Sequence, residues 1–296
     1  MSSGTIGSVN RPDRFACEAA RNRFLTVNAL RLHCLEWGSS GRPGLLFLHG
    51  GAAHAHWFDA VATAFADRFH VVALDQRGHG ESQWPEPPAY GTEDFAQDLL
   101  GVMDALGWKR MVLIGHSMGG HNVMSFAAWH PDRTERLVIV DSRPAIPEER
   151  LGEMHRQASR PVGRHASAEA AVARFRLIPP ETTAPPALLG HLARAGLIER
   201  DGKWVYRFDR ACDGTRRPVD AWPLLPKIQC PTLVVRGESS IILRHRIAEA
   251  MVEKIPGARL VEIPGAYHHV ILDAPAAFVA HVERFLTVSG RGGADP

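Results

Sequence analysis

Residues 112–120 read VLIGHSMGG, an apolar stretch typical of a buried strand that ends at Ser117 with a glycine two residues to either side. A serine hydroxyl is a poor nucleophile unless a sharp turn lifts it out of the fold. Such a turn strains the serine backbone and crowds the flanking positions. Gly115 and Gly119 relieve that crowding because they carry no side chain. The stretch therefore predicts a reactive serine between a strand and a helix.

The composition is that of an ordinary soluble protein. The chain has 296 residues, of which 45% are apolar and 22% charged, which is enough for one large domain or two smaller ones. Its 34 basic and 32 acidic residues leave a net charge of +2. So small an excess creates no field that would attract nucleic acid or an anionic membrane, and we expect neither partner.

The cysteines and the N-terminus bear on the cellular compartment. Cys17, Cys34, Cys212 and Cys230 lack C-x-x-C spacing, which favours reduced thiols over a disulfide framework or a zinc site. The first twenty residues lack the apolar core of a signal peptide, and no run of 18 apolar residues follows. These features predict a cytoplasmic protein and leave its oligomeric state open, a homo-oligomer included.

Short apolar runs outline a sheet. Residues 24–37 alternate around Asn28, which predicts a two-stranded hairpin. Continuous apolar runs follow at 45–48, 70–74, 111–114 and 137–140, and helix-like segments separate them near 55–66, 92–105 and 118–130. Continuous rather than alternating strands, each followed by a helix, indicate a parallel sheet that is buried on both faces.

This rhythm stops after Val140 and resumes far along the chain. Residues 143–222 are rich in proline, contain amphipathic helical patches and show no convincing strand. Strands return at 232–235 and 259–263, with helices near 245–255 and 275–287. We expect a flexible N-terminal segment (1–21), a core (22–142 and 223–288), a helical lid (143–222) and a flexible tail (289–296).

A reactive serine needs a base and donors for the oxyanion. His268 follows the last predicted strand and should lie at the same sheet edge as Ser117. The adjacent His269 is the alternative base. Gly51, in the LHGG stretch after an earlier strand, and Met118, at the start of a helix, are the expected backbone N–H donors.

Five stretches together resemble the α/β-hydrolase fold superfamily over about residues 22–288. They are LHGG at 48–51, DQRGHGES at 75–82, GHSMG at 115–119, PTLVVRGE at 231–238 and IPGAYHHVILDAP at 263–275. The resemblance implies a mostly parallel eight-stranded sheet flanked by helices, with a helical cap inserted after strand 6. It makes Ser117 the nucleophile and His268 the base, and it gives residues 75–82 a structural role.

The acid of the triad departs from the common pattern. Most relatives carry an aspartate where this chain has Ser240, in the stretch GESS at 237–240. Serine cannot stabilise an imidazolium, which needs a hydrogen-bonded negative charge. A minority of the superfamily places its acid after strand 6, where Asp141 stands, so Asp141 is the predicted acid. Glu238, a lid residue such as Asp220, and a Ser–His dyad are the alternatives.

The sequence predicts a serine hydrolase of small or medium carboxylic esters or lactones that works through an acyl-enzyme and needs neither cofactor nor metal. Two alternatives stay open on the same residues. One is a hydrolase of carbon–carbon bonds in dienoic ring-fission products, and the other is a non-catalytic small-molecule receptor. Residues 143–217 hold 14 basic and nine acidic residues, which fits either a carboxylate-bearing substrate or solvated arginines.

Overall fold

The computed structural model describes residues 20–287. The flexible segments expected at 1–21 and 289–296 lie outside this range, except for the last two residues of the first. Ala20 precedes the first strand, which already begins at Arg21.

Eight strands form the main sheet, and a further pair forms a small separate one. The main strands are β1 (Arg21–Val27), β2 (Leu30–Trp37), β3 (Gly44–Leu48), β4 (His70–Leu74), β5 (Met111–His116), β6 (Thr134–Val140), β9 (Thr232–Gly237) and β10 (Arg259–Ile263). The separate pair is β7 (Leu197–Arg200) and β8 (Lys203–Tyr206). The main sheet has the order β1-β2-β4-β3-β5-β6-β9-β10. The antiparallel pairs of this sheet are β1 with β2 and β2 with β4. The sheet is therefore mostly parallel, and the predicted fold class is confirmed.

Burial on both faces explains why the strands read as continuous apolar runs. Along β3, Leu45 and Phe47 belong to one apolar cluster, whereas Leu46 and Leu48 belong to another. Successive side chains of a strand point to opposite faces, so each face of the sheet has a core of its own. Because the parallel strands run in the same direction, they also end at one shared edge of the sheet.

Helices cover both faces of the sheet and fill the connection between β6 and β9. They are α1 (Thr92–Leu106), α2 (Met118–Trp129), α3 (Glu148–Ala158), α4 (Ala168–Arg174), α5 (Pro186–Ala195), α6 (Ala211–Thr215), α7 (His245–Lys254), α8 (Val270–Asp273) and α9 (Pro275–Thr287). Short 3₁₀ turns occur at Ala55–Phe58, Ala62–Phe65 and Leu225–Lys227. The single helix expected near 55–66 is thus two 3₁₀ turns. Within residues 20–287 no helix combines the length and the apolarity that crossing a bilayer requires.

The segment between β6 and β9 corrects one expectation. It carries α3 to α6, as its helical patches indicated, but also the hairpin β7–β8, where no strand was expected. The turn of this hairpin is Asp201-Gly202, with φ angles of 50° and 66°. Both central residues of a type I′ turn need positive φ, and Asp-Gly is a favoured pair there. That dipeptide was the signal for the hairpin.

Candidate active site

Ser117 lies on a strained turn between β5 and α2. Its backbone adopts φ 53° and ψ −115°, and its N–H donates to the carbonyl of Val140 at 3.0 Å. A Cβ atom at Gly115 would overlap the carbonyl of Gly119, and one at Gly119 would overlap the carbonyl of Leu48. The turn therefore requires glycine on both sides of the serine, which is the crowding that the sequence pattern implied.

His268 lies between Ser117 and Asp141. It follows β10, and its Nε2 lies 3.1 Å from Ser117 Oγ. Its Nδ1 lies 2.8 Å from Asp141 Oδ1. The imidazole is 3% exposed and the aspartate is fully buried. The structure thus brings together the serine, histidine and aspartate that the sequence singled out.

Asp141 is held in place by donors at the end of β9 and in the loop that follows it. Its Oδ1 accepts from Ser240 Oγ at 2.6 Å, and its Oδ2 accepts from the backbone N–H of Gly237 at 3.0 Å. Ser240, where the resemblance led us to expect an acid, therefore donates a hydrogen bond to Asp141, the acid that the sequence predicts. This contact was not foreseen from the sequence.

The alternative acids and the alternative base point elsewhere. Glu238 is exposed, and its Oε2 accepts from the N–H of Gly265 at 3.0 Å. Asp220 is also exposed. His269 directs Nε2 at the carbonyl of Pro179, 2.8 Å away, and so faces the segment between β6 and β9. The structure gives none of them a contact with Ser117 or His268 that could replace those of the buried chain.

Burial determines the charge states of His268 and Asp141. It lowers the pKa of His268 well below its ordinary value, so the resting imidazole is neutral. It also raises the pKa of Asp141 to about 6, although the hydrogen bonds from Ser240 and Gly237 oppose that rise. Near neutral pH the aspartate is therefore mainly ionised. It can then accept the Nδ1 hydrogen of His268, which leaves the lone pair of Nε2 facing the serine hydroxyl.

The predicted oxyanion donors lie beside the serine. Gly51 and Met118 line one cavity together with Ser117. Met118 is the first residue of α2, where backbone N–H groups have no acceptor within the helix. A Cβ at Gly51 would meet nothing, whereas one at Gly50 would lie 3.2 Å from Ser117 Cβ. The close approach between this loop and the serine therefore falls on Gly50.

A buried network fixes the loop that carries Gly51. Burial lowers the pKa of His49 to about 4, so this imidazole is neutral. Its Nε2 accepts from the N–H of Gln76 at 3.0 Å, so its Nδ1 carries the hydrogen that it donates to the carbonyl of Gly50 at 2.7 Å. Gln76 Nε2 donates to the carbonyl of His49 at 2.7 Å. The loop is thus held rigidly next to the turn at Ser117.

Asp75, in the DQRGHGES stretch, organises the neighbouring loops. Its carboxylate lies 2.7 Å from His33 Nδ1 and accepts from the backbone N–H groups of Ala55 at 2.6 Å and Glu81 at 2.8 Å. The contacts with His33 and Ala55 join this loop to β2 and to the turn after β3, and the contact with Glu81 holds the loop's own fold. The geometry agrees with the structural role that the resemblance implied for this stretch.

The cavity beside Ser117 has a volume of about 380 Å³ and a mixed lining. Its apolar residues are Ile146, Met154, Ile178, Ile241 and Ile242. Three arginines also line it, Arg143, Arg150 and Arg216, and they were not predicted as site residues. The excess of arginine in the segment was visible in the sequence, but nothing there showed which arginines face the serine.

Two groups of three side chains within residues 20–287 place potential metal-ligand atoms within 4.8 Å of one another: His116, His268 and His269, and His56, Asp59 and His191. In the first group both ring nitrogens of His268 already face Ser117 and Asp141, which leaves no lone pair for an ion without breaking that chain. The second group lies at the surface, between the turns after β3 and helix α5.

A comparison with known protein families identifies the family of this chain. Residues 43–275 match the family described as the alpha/beta hydrolase fold. This chain is a member of the α/β hydrolase fold family.

Individual α/β hydrolases resemble the chain over nearly its whole length. It is 28% identical to 2-(acetamidomethylene)succinate hydrolase of Mesorhizobium japonicum, over 92% of this chain and 98% of the relative. It is 27% identical to esterase YbfF of Escherichia coli, over 82% and 92% of the two chains. The crystal structure of the enol-lactonase from Burkholderia xenovorans superposes with a TM-score of 0.71 at 26% identity, covering 90% of this chain and all of that one. The α/β hydrolases most similar to this chain thus include enzymes named for several hydrolytic reactions.

Proposed function

We propose that the protein is a serine hydrolase that cleaves a small or medium carboxylic ester or lactone. The observation that carries this proposal is the buried chain from Ser117 through His268 to Asp141, with contacts of 3.1 and 2.8 Å. A nucleophile, a base and an acid in that order are what acyl transfer requires. Relatives named esterase and enol-lactonase support the same class of reaction.

The proposed reaction begins with attack of Ser117 Oγ on the substrate carbonyl while His268 Nε2 takes the hydroxyl proton. The Asp141 carboxylate stabilises the imidazolium, and the N–H groups of Gly51 and Met118 stabilise the oxyanion. His268 then gives its proton to the leaving alkoxide, and an acyl-serine forms. Water, deprotonated by His268, attacks that ester; His268 returns the proton to Ser117 Oγ as the acid is released. In a lactone the leaving oxygen stays attached, so the product is a hydroxy acid.

The segment 143–222 acts in this proposal as the lid. Ile146, Met154 and Ile178 come from it and line the cavity, whereas Gly51 and Met118 come from the core. A cavity between two such layers excludes water from the acyl group and lets the lid select substrates. His269 reaches the same segment through its contact with Pro179.

Covalent labelling tests the proposal. A fluorophosphonate probe should label the wild-type protein at Ser117, because a neutral base 3.1 Å away activates the hydroxyl. Ser117→Ala should lose the label and at least about 10³-fold in hydrolysis of 4-nitrophenyl acetate. Ser239→Ala, which removes an exposed serine, is the matched control and should keep both.

Other outcomes separate the alternatives. An unlabelled wild-type protein that binds small molecules tightly without turnover would be a receptor and would contradict the proposal. Loss of the absorbance of a conjugated dienoate, without ester cleavage, would indicate hydrolysis of a carbon–carbon bond instead.

A further inference from the structure

Arg216 is a buried cation that forms no hydrogen bond or ion pair in the part of the chain that the structure describes. It ends helix α6, is 7% exposed, and lines the cavity that also contains Ser117. Within residues 20–287 its guanidinium makes neither a hydrogen bond nor an ion pair. Buried arginines are almost always paired, because taking the charge out of water is costly. Burial even lowers the pKa of Arg216. The residue is therefore held where an anion from outside the chain would stabilise it.

Arg143 is a second such cation in the same cavity. It is partly buried and follows Asp141 by two residues, and in the described part of the chain its guanidinium has no hydrogen-bond or ion-pair partner either. Its charge acts on His268, whose pKa it helps to lower after burial and His269. Arg143 therefore lies within electrostatic reach of the reacting groups.

The acidic residues around the cavity act on these two arginines only from a distance, Asp141 on Arg143 and Asp213 on Arg216. Asp141 is committed to His268 and Ser240. Asp213 lines the cavity and opposes the lowering of the pKa of Arg216, but it lies beyond ion-pair distance from both guanidinium groups, and burial raises its own pKa. The third arginine, Arg150, already pairs with Glu153 at 2.9 Å. A positive charge thus remains on one wall of the cavity.

We infer that the substrate carries a carboxylate besides its scissile carbonyl, and that Arg216 and Arg143 bind this carboxylate. The inference rests on the proposed function and narrows its substrate class to a hemiester of a short dicarboxylic acid or a lactone that bears a carboxylate. The planar guanidinium presents paired donors that match the two oxygens of a carboxylate. The volume of about 380 Å³ and the isoleucines of the lining fit a short carbon chain between the two groups.

His121 adds a polar group next to this site. It lies one helical turn after Ser117 on α2, lines the cavity, and lies against the backbone of Arg143, whose hydrogen bond favours its protonated form. Burial, and then the charge of Arg216, lower the pKa of His121 to about 4. A neutral imidazole beside Arg216 can donate its single N–H to a bound carboxylate, in place of the backbone of Arg143, without adding charge.

A matched pair of substrates tests the inference. 4-Nitrophenyl hydrogen glutarate and 4-nitrophenyl 5-methylhexanoate differ only in a carboxylate and the isopropyl group that replaces it. The quantity to measure is the kcat/KM of the glutarate ester divided by the kcat/KM of the 5-methylhexanoate ester. Arg216→Met should lower this ratio by about 10- to 100-fold, because hydrogen bonds to a charged group are lost, and Arg143→Met should lower it in the same direction. Arg160→Met removes an exposed arginine of the same segment and should leave the ratio unchanged.

Direct binding separates this inference from the proposed function. Glutarate should bind to wild-type protein and to Ser117→Ala in isothermal titration calorimetry, and Arg216→Met should abolish that binding. Circular dichroism melting and the conservative Arg216→Lys, which keeps the charge, distinguish loss of the site from loss of the fold. Glutarate binding without any ester hydrolysis would leave the carboxylate site standing and overturn the proposed function. Hydrolysis whose ratio is unchanged in folded Arg216→Met and Arg143→Met would overturn the inference alone.

Discussion

At the residue scale, the proposed acid shows how far sequence reasoning reached. Ser117 was recognisable because its strained turn requires glycines at fixed positions, and His268 because every parallel strand ends at the same edge. Asp141 was inferred from the missing aspartate at 240. The hydrogen bond from Ser240 to Asp141 could not be predicted, since it joins side chains 99 residues apart whose orientations depend on packing.

Substitution of the two candidate acids distinguishes their roles. Asp141→Asn should lower kcat for 4-nitrophenyl acetate by about 10⁴-fold, because the amide can hold His268 in the wrong tautomer. Glu238→Gln should change kcat less than about threefold, since an exposed amide oxygen can still accept from Gly265 and no catalytic contact is lost. The reverse order of effects would show that the acid is Glu238.

At the element scale, the continuous apolar strands were predictable and the loops were not. Strands β3 to β6 are buried on both faces, so their sequences are continuous apolar runs that predict strands. The pairing of β7 with β8 was indicated only by one Asp-Gly turn. The loop after β4 is fixed by a contact that the sequence does not show. Arg77 reaches α1 and holds Asp98 through Nε at 2.6 Å and through a second nitrogen at 2.7 Å.

Removal of this buried cation should be costly. Arg77→Met leaves Asp98 buried without an ion-pair partner and with only the Asn28 amide as a side-chain donor, so the free energy of unfolding in urea should fall by about 3–5 kcal/mol. Arg133→Met is the matched control, because its partner Asp104 is largely exposed, and it should cost about 1 kcal/mol or less. Equal losses in the two variants would show that burial does not govern the strength of these pairs.

At the scale of the whole molecule, the segment between β6 and β9 has to dock on the core. The docking includes a latch that we define as His56, Asp59 and His191. The carboxylate of Asp59 lies 2.8 Å from His56 Nδ1 and 2.7 Å from Nε2 of His191, which belongs to α5. The sequence could not predict this contact, since Asp59 and His191 are 132 residues apart and lie on separate layers.

The latch should respond to pH. Burial opposes charge on His56, but the hydrogen bond to Asp59, helped by the more distant charges of Asp75 and Glu81, outweighs it and raises the pKa of His56. Burial opposes charge on Asp59 as well, but the hydrogen bonds from His191 and His56 outweigh it and lower the pKa of Asp59. The stability that His56 gives to the latch is thus fully present below 6.5, the ordinary pKa of histidine. It is lost as pH rises through the raised pKa of His56. The stability that Asp59 gives is present above 3.8, the ordinary pKa of aspartate, and is lost as pH falls through the lowered pKa of Asp59. The latch is therefore strongest between pH 3.8 and pH 6.5.

Hydrogen exchange of α5 measures the latch. After correction for intrinsic rates, exchange in Pro186–Ala195 should be about three- to tenfold faster at about pH 8.5 than at about pH 6, an effect kept modest by the partial exposure of the three side chains. Asp59→Asn should exchange fast at both pH values, because neither histidine then faces a carboxylate. Asp67→Asn, which removes an exposed carboxylate nearby, should behave as wild type. If wild type and Asp59→Asn share one pH dependence, the carboxylate of Asp59 does not hold this segment on the core.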